Sequence, residues 1–400
     1  MTKIRVIFFV VTLIVVGVFG LFASYFARGY RFNIKTFKFL PNGILVLKSE
    51  PDGASVYVNS ELKTATNANI SLSPGAYDVE VKKDGYFTWY KRFTIEKEIV
   101  TQADVSLFKS VPSLSPATLS GASNPVMSED GSKIVFSVLP SKSIGNDKTG
   151  LWTLDTYSLP LGFTGGPKKI ADGDMSGASY ALSPDGKQLL LTVSNGIFLL
   201  DTTSFTAQNQ RINIASQEDT ILLEWKTSKE AKTQNLVKNL PPTLSDILTR
   251  KVSDYIFSPD NNMILYTASS SATIPEGLIT PLPGASTQRQ ERNIQSGHTY
   301  IYDIKEDRNF LISDQPVTIN NADNPQVAAL RWMSTSRHLL LADMGQVIIM
   351  DTDGTNRQTI YSGSYFTPSA FPFSNTTKLL ILTNLGAPST NPNLYTLTVK

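Results

Sequence analysis

A strand–turn–strand unit recurs five times from residue 111 onward, and this repeat constrains the fold more than any other feature of the sequence. In each copy a polar turn is followed almost at once by a strongly apolar run, and the apolar runs begin at Ile134, Leu189, Ile264, Leu339 and Leu379. The clearest turns are Ser128-Glu129-Asp130-Gly131, Ser183-Pro184-Asp185-Gly186 and Ser258-Pro259-Asp260-Asn261. Pro fixes φ at its position in such a turn, and Gly adopts the left-handed backbone conformation with which the turn ends. Because one unit alone exposes two apolar faces, the repeat predicts antiparallel sheets that stack on their neighbours.

The spacing of the repeats indicates the kind of stack. The intervals are 55, 75, 75 and 40 residues, and each of the two long ones contains an insertion. Residues 218–250 place leucines at 236, 240, 244 and 248, which predicts helix, and Pro241-Pro242 should divide it in two. Residues 269–297 form a Pro/Ser/Gln-rich loop. Subtracting roughly thirty residues from each long interval restores a period near that of a four-stranded propeller blade.

We therefore expect residues 111–400 to form a closed ring of about five blades. The segment 111–120 should supply an outer strand beside the C-terminal strand and so close the ring. The repeats resemble TolB-type propeller repeats in their Ser-Pro-Asp-Gly turns and in Asp351-Thr352-Asp353-Gly354-Thr355-Asn356. That resemblance implies a β-propeller.

The N-terminal region contains a run of twenty-two uncharged residues from Val6 to Ala27. As a helix it would span about 33 Å, enough to cross a hydrocarbon core of roughly 30 Å. A cleaved signal peptide is the alternative, but Tyr25 or Leu21 would then occupy a position that prefers a small residue. We favour an uncleaved transmembrane helix within a segment of residues 1–40.

The orientation of this helix has two interpretations. Four basic residues follow the apolar run and two precede it, which by itself would place the C-terminal body in the cytoplasm. A very short tail before an apolar run is instead typical of a signal anchor that exports the rest of the chain. We expect the second arrangement, with the N-terminus cytoplasmic and the body extracytoplasmic in the cell envelope.

Residues 41–110 alternate apolar and polar side chains between glycine-containing turns, which predicts short β-strands. The segments Pro51-Asp52-Gly53-Ala54-Ser55-Val56-Tyr57-Val58, Pro74-Gly75-Ala76-Tyr77 and Gly85-Tyr86 resemble the PEGA domain, with Asp52 where the family name has Glu. The resemblance implies a small β-sandwich of surface and envelope proteins, without catalytic residues. We interpret the cluster Tyr86-Phe87-Trp89-Tyr90 as half core and half interdomain contact rather than as a ligand platform.

Composition and charge narrow the possible functions. Cysteine is absent, which excludes disulfides and thiolate chemistry, and the two histidines, His298 and His338, are far apart in sequence. Residues 1–40 carry six basic and no acidic side chains, so the rest of the chain is mildly acidic and offers no nucleic-acid footprint. Gly-x-Ser-x-Gly does not occur. We expect no catalytic residue, no metal site and no cofactor.

Three features could nevertheless carry chemistry. Asp174, Asp254 and Asp323 precede the predicted innermost strands, so a glycan-cleaving propeller hydrolase is the alternative function. The segment from Asp351 to Asn356 could begin a calcium loop, but the twelfth position is Ser362 rather than Glu, so a turn between outer strands is the better interpretation. The helical insertion, with Trp225, is either a lid or partner surface or an amphipathic hairpin packed on the propeller.

The sequence thus predicts an all-β protein with one N-terminal transmembrane helix. Its leading function is that of a membrane-anchored, non-enzymatic binding or scaffold protein that recognises a protein or glycan partner through the propeller.

Overall fold

A computed structural model describes residues 2–27, 30–33, 38–141, 145, 147–157, 165–280, 282–284, 286–320, 327–388 and 390–400. Its first element is helix α1, Thr2–Ala27, which contains the apolar run and confirms the predicted helix. The most apolar stretch of α1 has a mean hydropathy of 3.0, and none of it is buried. The helix is therefore long and apolar enough to cross a membrane, a test that a signal sequence would also pass.

The chain divides into two compact units. The first comprises Met1–Leu107 with Pro281–Arg289, and the second comprises Phe108–Thr280 with Gln290–Lys400. The boundary lies three residues before the one expected from the sequence. The larger difference is in the insertion at 269–297, whose middle belongs to the first unit although the sequence-based division assigned all of it to the propeller.

The first unit contains a short hairpin, β1 (Arg31–Asn33) with β2 (Lys38–Leu40), and then a β-sandwich. The sandwich strands are β3 (Gly43–Glu50), β4 (Ser55–Val58), β5 (Glu61–Ala65), β6 (Ala68–Leu72), β7 (Gly75–Lys82), β8 (Trp89–Ile95) and β9 (Val100–Ser106). One sheet has the order β6-β3-β9, with β3 and β9 parallel, and the other has the order β5-β4-β7-β8. Leu45, Val56, Val81 and Trp89 are among the side chains buried between them, as alternation predicted. The predicted small β-sandwich is confirmed.

The described part of the second unit contains five sheets of three or more strands that follow one another along the chain. The first four have the orders β11-β12-β13-β14, β15-β16-β17, β18-β19-β22-β23 and β24-β25-β26-β27-β28. Their strands are β11 (Ser123–Met127), β12 (Lys133–Val138), β13 (Gly150–Asp155), β14 (Lys168–Ala171), β15 (Ser179–Leu182), β16 (Gln188–Val193), β17 (Gly196–Asp201), β18 (Val252–Phe257), β19 (Met263–Ala268), β22 (Thr299–Asp303), β23 (Arg308–Ser313), β24 (Val317–Ile319), β25 (Ala328–Trp332), β26 (His338–Asp343), β27 (Gln346–Asp351) and β28 (Gln358–Ser362). A separate short hairpin, β20 (Ala272–Thr273) with β21 (Asn293–Ile294), lies in the insertion between β19 and β22.

The fifth sheet joins the two ends of the second unit. Its order is β10-β31-β30-β29, where β10 is Ser113–Pro116, β29 is Ala370–Pro372, β30 is Lys378–Thr383 and β31 is Asn393–Thr398. β10 pairs antiparallel with β31, so the strand predicted within 111–120 is confirmed. The second unit is a β-propeller whose first and last strands share a sheet.

Apolar side chains pack between neighbouring sheets. Phe136 of the first sheet packs with Phe371 of the fifth, while Val135 of the first contacts the group around Leu189 of the second. Leu265 and Leu330 belong to a core shared by the third and fourth sheets. Because successive residues of a strand point to opposite faces, the nearly continuous apolar runs serve both neighbours at once.

The predicted Ser-Pro-Asp-Gly turns are held by an internal network of hydrogen bonds. The Ser183 hydroxyl, buried at 3% exposure, donates to Asp185 (2.6 Å) and accepts from the backbone N–H of Gln188 (2.9 Å). Gly186 closes the turn at φ +67°. Ser128 with Asp130 and Ser258 with Asp260 repeat the arrangement. The motif therefore fixes the reversal between the first two strands of a sheet.

Candidate functional site

The helical insertion between the second and third sheets is the candidate site, and the sequence explains its form. Helix α2 spans Glu218–Lys238 and helix α3 spans Pro242–Arg250, as the leucine spacing and Pro241-Pro242 predicted. Pro242 occupies the first turn of α3, where its missing N–H costs nothing. The two acidic residues at the start of α2 and Lys238 in its last turn complement the helix dipole.

The two helices differ in how they are packed. Leu244, Ile247 and Leu248 of α3 are buried against the third sheet, where Ile264 and Tyr266 lie in the same core. In α2, by contrast, Val237 is the buried residue, and Leu223 on its outer surface is 64% exposed. Trp225 is half-buried. α3 is thus part of the propeller core, whereas α2 presents most of its surface to solvent.

A shallow depression of about 350 Å³, largely open to solvent, lies between the insertion and the first strand of the third sheet, and we call it the cavity. Its lining residues are Gln234, Val237, Lys238, Leu248, Thr249, Val252 and Tyr255. Its size is within the range of small-molecule and side-chain pockets. Apolar side chains with one ammonium, one amide and two hydroxyl groups suit an apolar or aromatic group that carries a hydrogen-bond acceptor.

Tyr255 beside this cavity is protonated at neutral pH, and Lys229 of α2 is ion-paired. Burial raises the pKa of Tyr255, so its phenol stays protonated and can donate a hydrogen bond at neutral pH. Lys229 of α2 forms an ion pair with Glu129 of the first sheet's turn at 2.5 Å. Both side chains are about half exposed, so the pair contributes roughly 0.2–1 kcal/mol. This pair orients α2 without locking it.

The candidate carboxylates of the hydrolase alternative lie in different environments. Asp174 is exposed in the connection before β15, and the hydroxyl and backbone N–H of Ser176 lower its pKa. Asp254 is an exposed residue of β18; partial desolvation of its carboxyl raises its pKa, and Lys229 opposes the shift. The described hydrogen bonds bring these two carboxylates to no common partner, and Asp323 lies outside the described residues.

The segment from Asp351 to Asn356 connects β27 to β28, as the turn interpretation predicted. Asn356 donates to Asp351 (3.0 Å), and the hydroxyl and backbone N–H of Thr355 donate to Asp353 (2.5 and 3.1 Å). These carboxylates serve as turn acceptors. Within the described ranges, no group of three or more acidic or histidine side chains is arranged to hold a metal ion.

The aromatic cluster of the sandwich is mostly structural. Trp89 is 4% exposed and belongs to the sandwich core, and Tyr86 packs against that core. Tyr90 is 46% exposed. The two histidines are separate, with His298 beside Tyr300 and the buried His338 3.5 Å from Asp351.

Sequence reasoning missed one buried charge, Arg331. Its side chain is fully buried, donates to the carbonyls of Pro368 (3.0 Å) and Ala370 (3.1 Å), and lies over the Phe371 ring at 4.8 Å. Burial lowers its pKa to about 10. Its position in the apolar strand Ala328–Trp332 was the available signal, because a lone cation between leucine and tryptophan requires a buried partner.

Fold and site together define a β-propeller protein with a preceding β-sandwich and an N-terminal apolar helix. Residues 42–110 match the PEGA domain family, which identifies the sandwich. Among curated proteins, none matches the sequence.

Similar solved structures include two TolB proteins and one further protein. A protein from Agrobacterium tumefaciens assigned as TolB is 15% identical, with 68% of this chain and 73% of that chain covered and a TM-score of 0.22. TolB from Acinetobacter baumannii is 13% identical, with 80% and 59% covered and a TM-score of 0.21. Hsv2 from Kluyvelomyces marxianus is 9% identical, with 66% and 74% covered and a TM-score of 0.22. At these scores the propeller assignment rests on the sheet topology of the chain itself.

Proposed function

We propose that this protein is a membrane-anchored, non-enzymatic binding or scaffold protein whose helical insertion recognises a partner on the extracytoplasmic side of a cell membrane. Helix α1 is the anchor, and the PEGA domain match supports a role at the envelope. The observation that carries the proposal is the combination of the exposed helix α2 with the adjoining cavity of about 350 Å³.

The physical argument concerns exposed surface that folding does not need. A helix that only completes the propeller would bury its leucines, as α3 does. α2 keeps Leu223 in water and places Lys238 and Gln234 at the cavity. A protein segment or a glycan that covers α2 would remove this apolar surface from solvent at about 25 cal/mol per Å². The partner class that fits is one with an apolar or aromatic group flanked by hydrogen-bond acceptors.

Site-specific photo-crosslinking in the full-length membrane-bound protein tests the recognition surface. A photoreactive residue at Leu223 should give a discrete adduct, whereas the same residue at Lys187, 77% exposed on a turn of the second sheet, should not. Val252→Trp, which fills the cavity, should abolish the adduct. Equal crosslinking at both positions would reject the insertion as the binding surface, and an adduct that survives Val252→Trp would reject the cavity as part of that surface.

Topology and catalysis are tested separately. Because the chain has no cysteine, Lys187→Cys gives a single thiol, which a membrane-impermeant maleimide should label in intact cells. Labelling only after lysis would place the body in the cytoplasm. Asp174→Asn and Asp254→Asn should leave the Leu223 adduct unchanged, whereas loss of a glycan-cleaving activity in either variant would favour the hydrolase.

A further inference from the structure

Four large apolar side chains project into solvent from four connections between strands of the propeller. They are Leu119, Met344, Phe366 and Leu385, which are 86%, 67%, 45% and 54% exposed. Leu119 follows β10, Met344 joins β26 to β27, Phe366 precedes β29, and Leu385 follows β30. Because neighbouring strands are antiparallel, all four connections leave their sheets at the end opposite the Ser-Pro-Asp-Gly turns. We call these four side chains the apolar patch.

Hydrogen bonds between the connections show that the patch is one surface. The N–H of Gly363 donates to Gly345 O (2.9 Å), and the N–H of Phe366 donates to Leu382 O (2.8 Å). These bonds join the Met344 and Leu385 connections to the segment that carries Phe366.

Leu119 is joined to the same surface from the other side. The Thr118 hydroxyl and the N–H of Gly121 both donate to the Asn393 side chain at 2.9 Å. The N–H of Ala122 donates to Pro392 O (2.7 Å). The connection that carries Leu119 is therefore fixed beside the one that carries Leu385.

Buried, hydrogen-bonded residues close to Phe366 and Leu385 keep the patch side chains pointing into solvent. Tyr365 is 9% exposed and its hydroxyl donates to the carbonyls of Asp343 and Gln346. Thr383 is fully buried and donates to Ser364 O (2.6 Å). Tyr365, next to Phe366, and Thr383, two residues before Leu385, thus have side chains that point inward. The apolar side chains cannot retreat into the core without breaking these bonds.

The connections that carry the patch contain almost no charge. In the described residues of 117–122, 343–346, 363–369 and 383–392, Asp343 is the single charged side chain. Its two oxygens accept bonds from the N–H of Met344 (2.7 Å) and the amide of Gln346 (3.0 Å). At the same end of the sheets, the charged side chains Asp147, Lys148, Asp172 and Asp174 belong to connections of the first and second sheets.

We propose that the apolar patch enters the interfacial region of a neutral lipid bilayer. The proposal rests on the proposed anchoring by α1. Projecting apolar side chains in connections that carry a single charge suit a soft apolar phase, because little charge has to be desolvated when they enter it. A membrane helix in the same chain keeps the protein near lipid, which lowers the apolar surface that a second membrane contact requires. Its small polar neighbours, mostly Ser, Thr, Gly and Asn, suit the headgroup level.

The test uses full-length protein in phosphatidylcholine proteoliposomes. Met344→Cys, labelled with a polarity-sensitive dye, should show a several-fold emission increase relative to the free dye in water, and quenching by lipids carrying a spin label. Lys187→Cys, at the opposite end, is the matched control and should show neither effect. Adding Phe366→Ser and Leu385→Ser should remove the effect at position 344. Because the patch is uncharged, high salt should leave it intact.

The outcomes separate this inference from the anchor. A protein that carbonate extracts from the vesicles would refute the anchor, and with it the basis of the inference. Carbonate-resistant protein whose dye at position 344 is no more quenched than the dye at position 187 refutes the lipid contact alone. Dye shielding that appears only when other envelope proteins are added would assign the patch to a protein partner and also overturn the proposal.

Discussion

Leu114 lies directly opposite Leu397 in the antiparallel pair that joins the start of the propeller to its C-terminal strand. Both residues belong to the fifth sheet, whose other strands come from the end of the chain. This pairing closes the ring by joining residues 113–116 to residues 395–398, which are far apart in sequence. Contacts of high sequence separation form at a large entropic cost, so this sheet should be the one most sensitive to truncation.

The first prediction concerns that closure. Leu397 is 2% exposed, so Leu397→Ala should destabilise the propeller by about 2–5 kcal/mol through lost burial and a cavity. Leu114→Ala, on the paired strand but 36% exposed, is the control and should cost about 0.5 kcal/mol. Urea unfolding followed by tryptophan fluorescence measures both. Equal losses would mean that the strand pair, rather than the buried leucine, carries the stability.

The second prediction concerns the turn network and pH. The Ser183 hydroxyl, followed by the backbone N–H of Lys187, lowers the pKa of Asp185 below its ordinary value of 3.8. A lowered carboxyl pKa adds stability above the ordinary value, and that contribution disappears as pH falls through the native pKa. Ser183→Ala should therefore cost about 1 kcal/mol at pH 7 and less at pH 3.

A double-mutant cycle checks this assignment. The Asp185→Asn variant has no titrating group at position 185. In that background the cost of Ser183→Ala should no longer vary between pH 7 and pH 3. A pH dependence that persists in that background would show that another carboxyl is responsible.

The sequence predicted the elements whose signal is local. The Ser183-Pro184-Asp185-Gly186 turn, the apolar run after it and the break at Pro241-Pro242 each depend on residues a few positions apart. The pairing of β10 with β31 agrees with the expectation that the segment 111–120 supplies an outer strand beside the C-terminal strand. The PEGA resemblance added a sandwich that alternation alone could not distinguish from other small β-folds.

What the sequence could not predict depends on tertiary contacts. The sequence around Asp254 does not indicate its proximity to Lys229. Lys229 lies on another element, α2, and opposes the rise of the Asp254 pKa. The cavity is built by α2, α3 and β18 together, so periodicity gives its walls but not its volume. The apolar patch has no sequence signature, since each of its four side chains is an ordinary isolated apolar residue in a polar loop.

The third prediction concerns the buried cation. Arg331→Met keeps the length of the side chain but removes its hydrogen bonds to the carbonyls of Pro368 and Ala370. The Pro368 carbonyl still accepts from the Ala370 N–H at 2.8 Å, so we expect a loss of about 1–3 kcal/mol, the cost of one unsatisfied buried group. The variant should therefore unfold at markedly lower urea concentration. Arg250→Met, at a site 73% exposed with one surface ion pair, should change the midpoint little. A stabilised Arg331→Met protein would mean that desolvation of the cation outweighs its hydrogen bonds.

The last prediction concerns residues 281–289, which belong to the first compact unit. The Thr287 hydroxyl accepts a hydrogen bond from the backbone N–H of Thr94 (3.1 Å). Gly284 has φ +77°, and a Cβ there would lie 2.6 Å from Val100 O. Gly284→Ala therefore meets both an unfavourable backbone conformation and a backbone clash, so it should displace the segment from the sandwich.

Gly277→Ala is the matched control because Gly277 has a similar φ of +71° but no heavy atom within 4 Å of the added Cβ. Both variants carry the conformational cost of about 1 kcal/mol that a non-glycine residue meets in the left-handed region, and only Gly284→Ala adds the steric term. We expect limited proteolysis near Arg289 to accelerate in Gly284→Ala and hydrogen exchange at Thr94 N–H to lose protection, with Gly277→Ala close to wild type in both. Equal behaviour of the two variants would show that backbone conformation, not contact with Val100, decides the position of this segment.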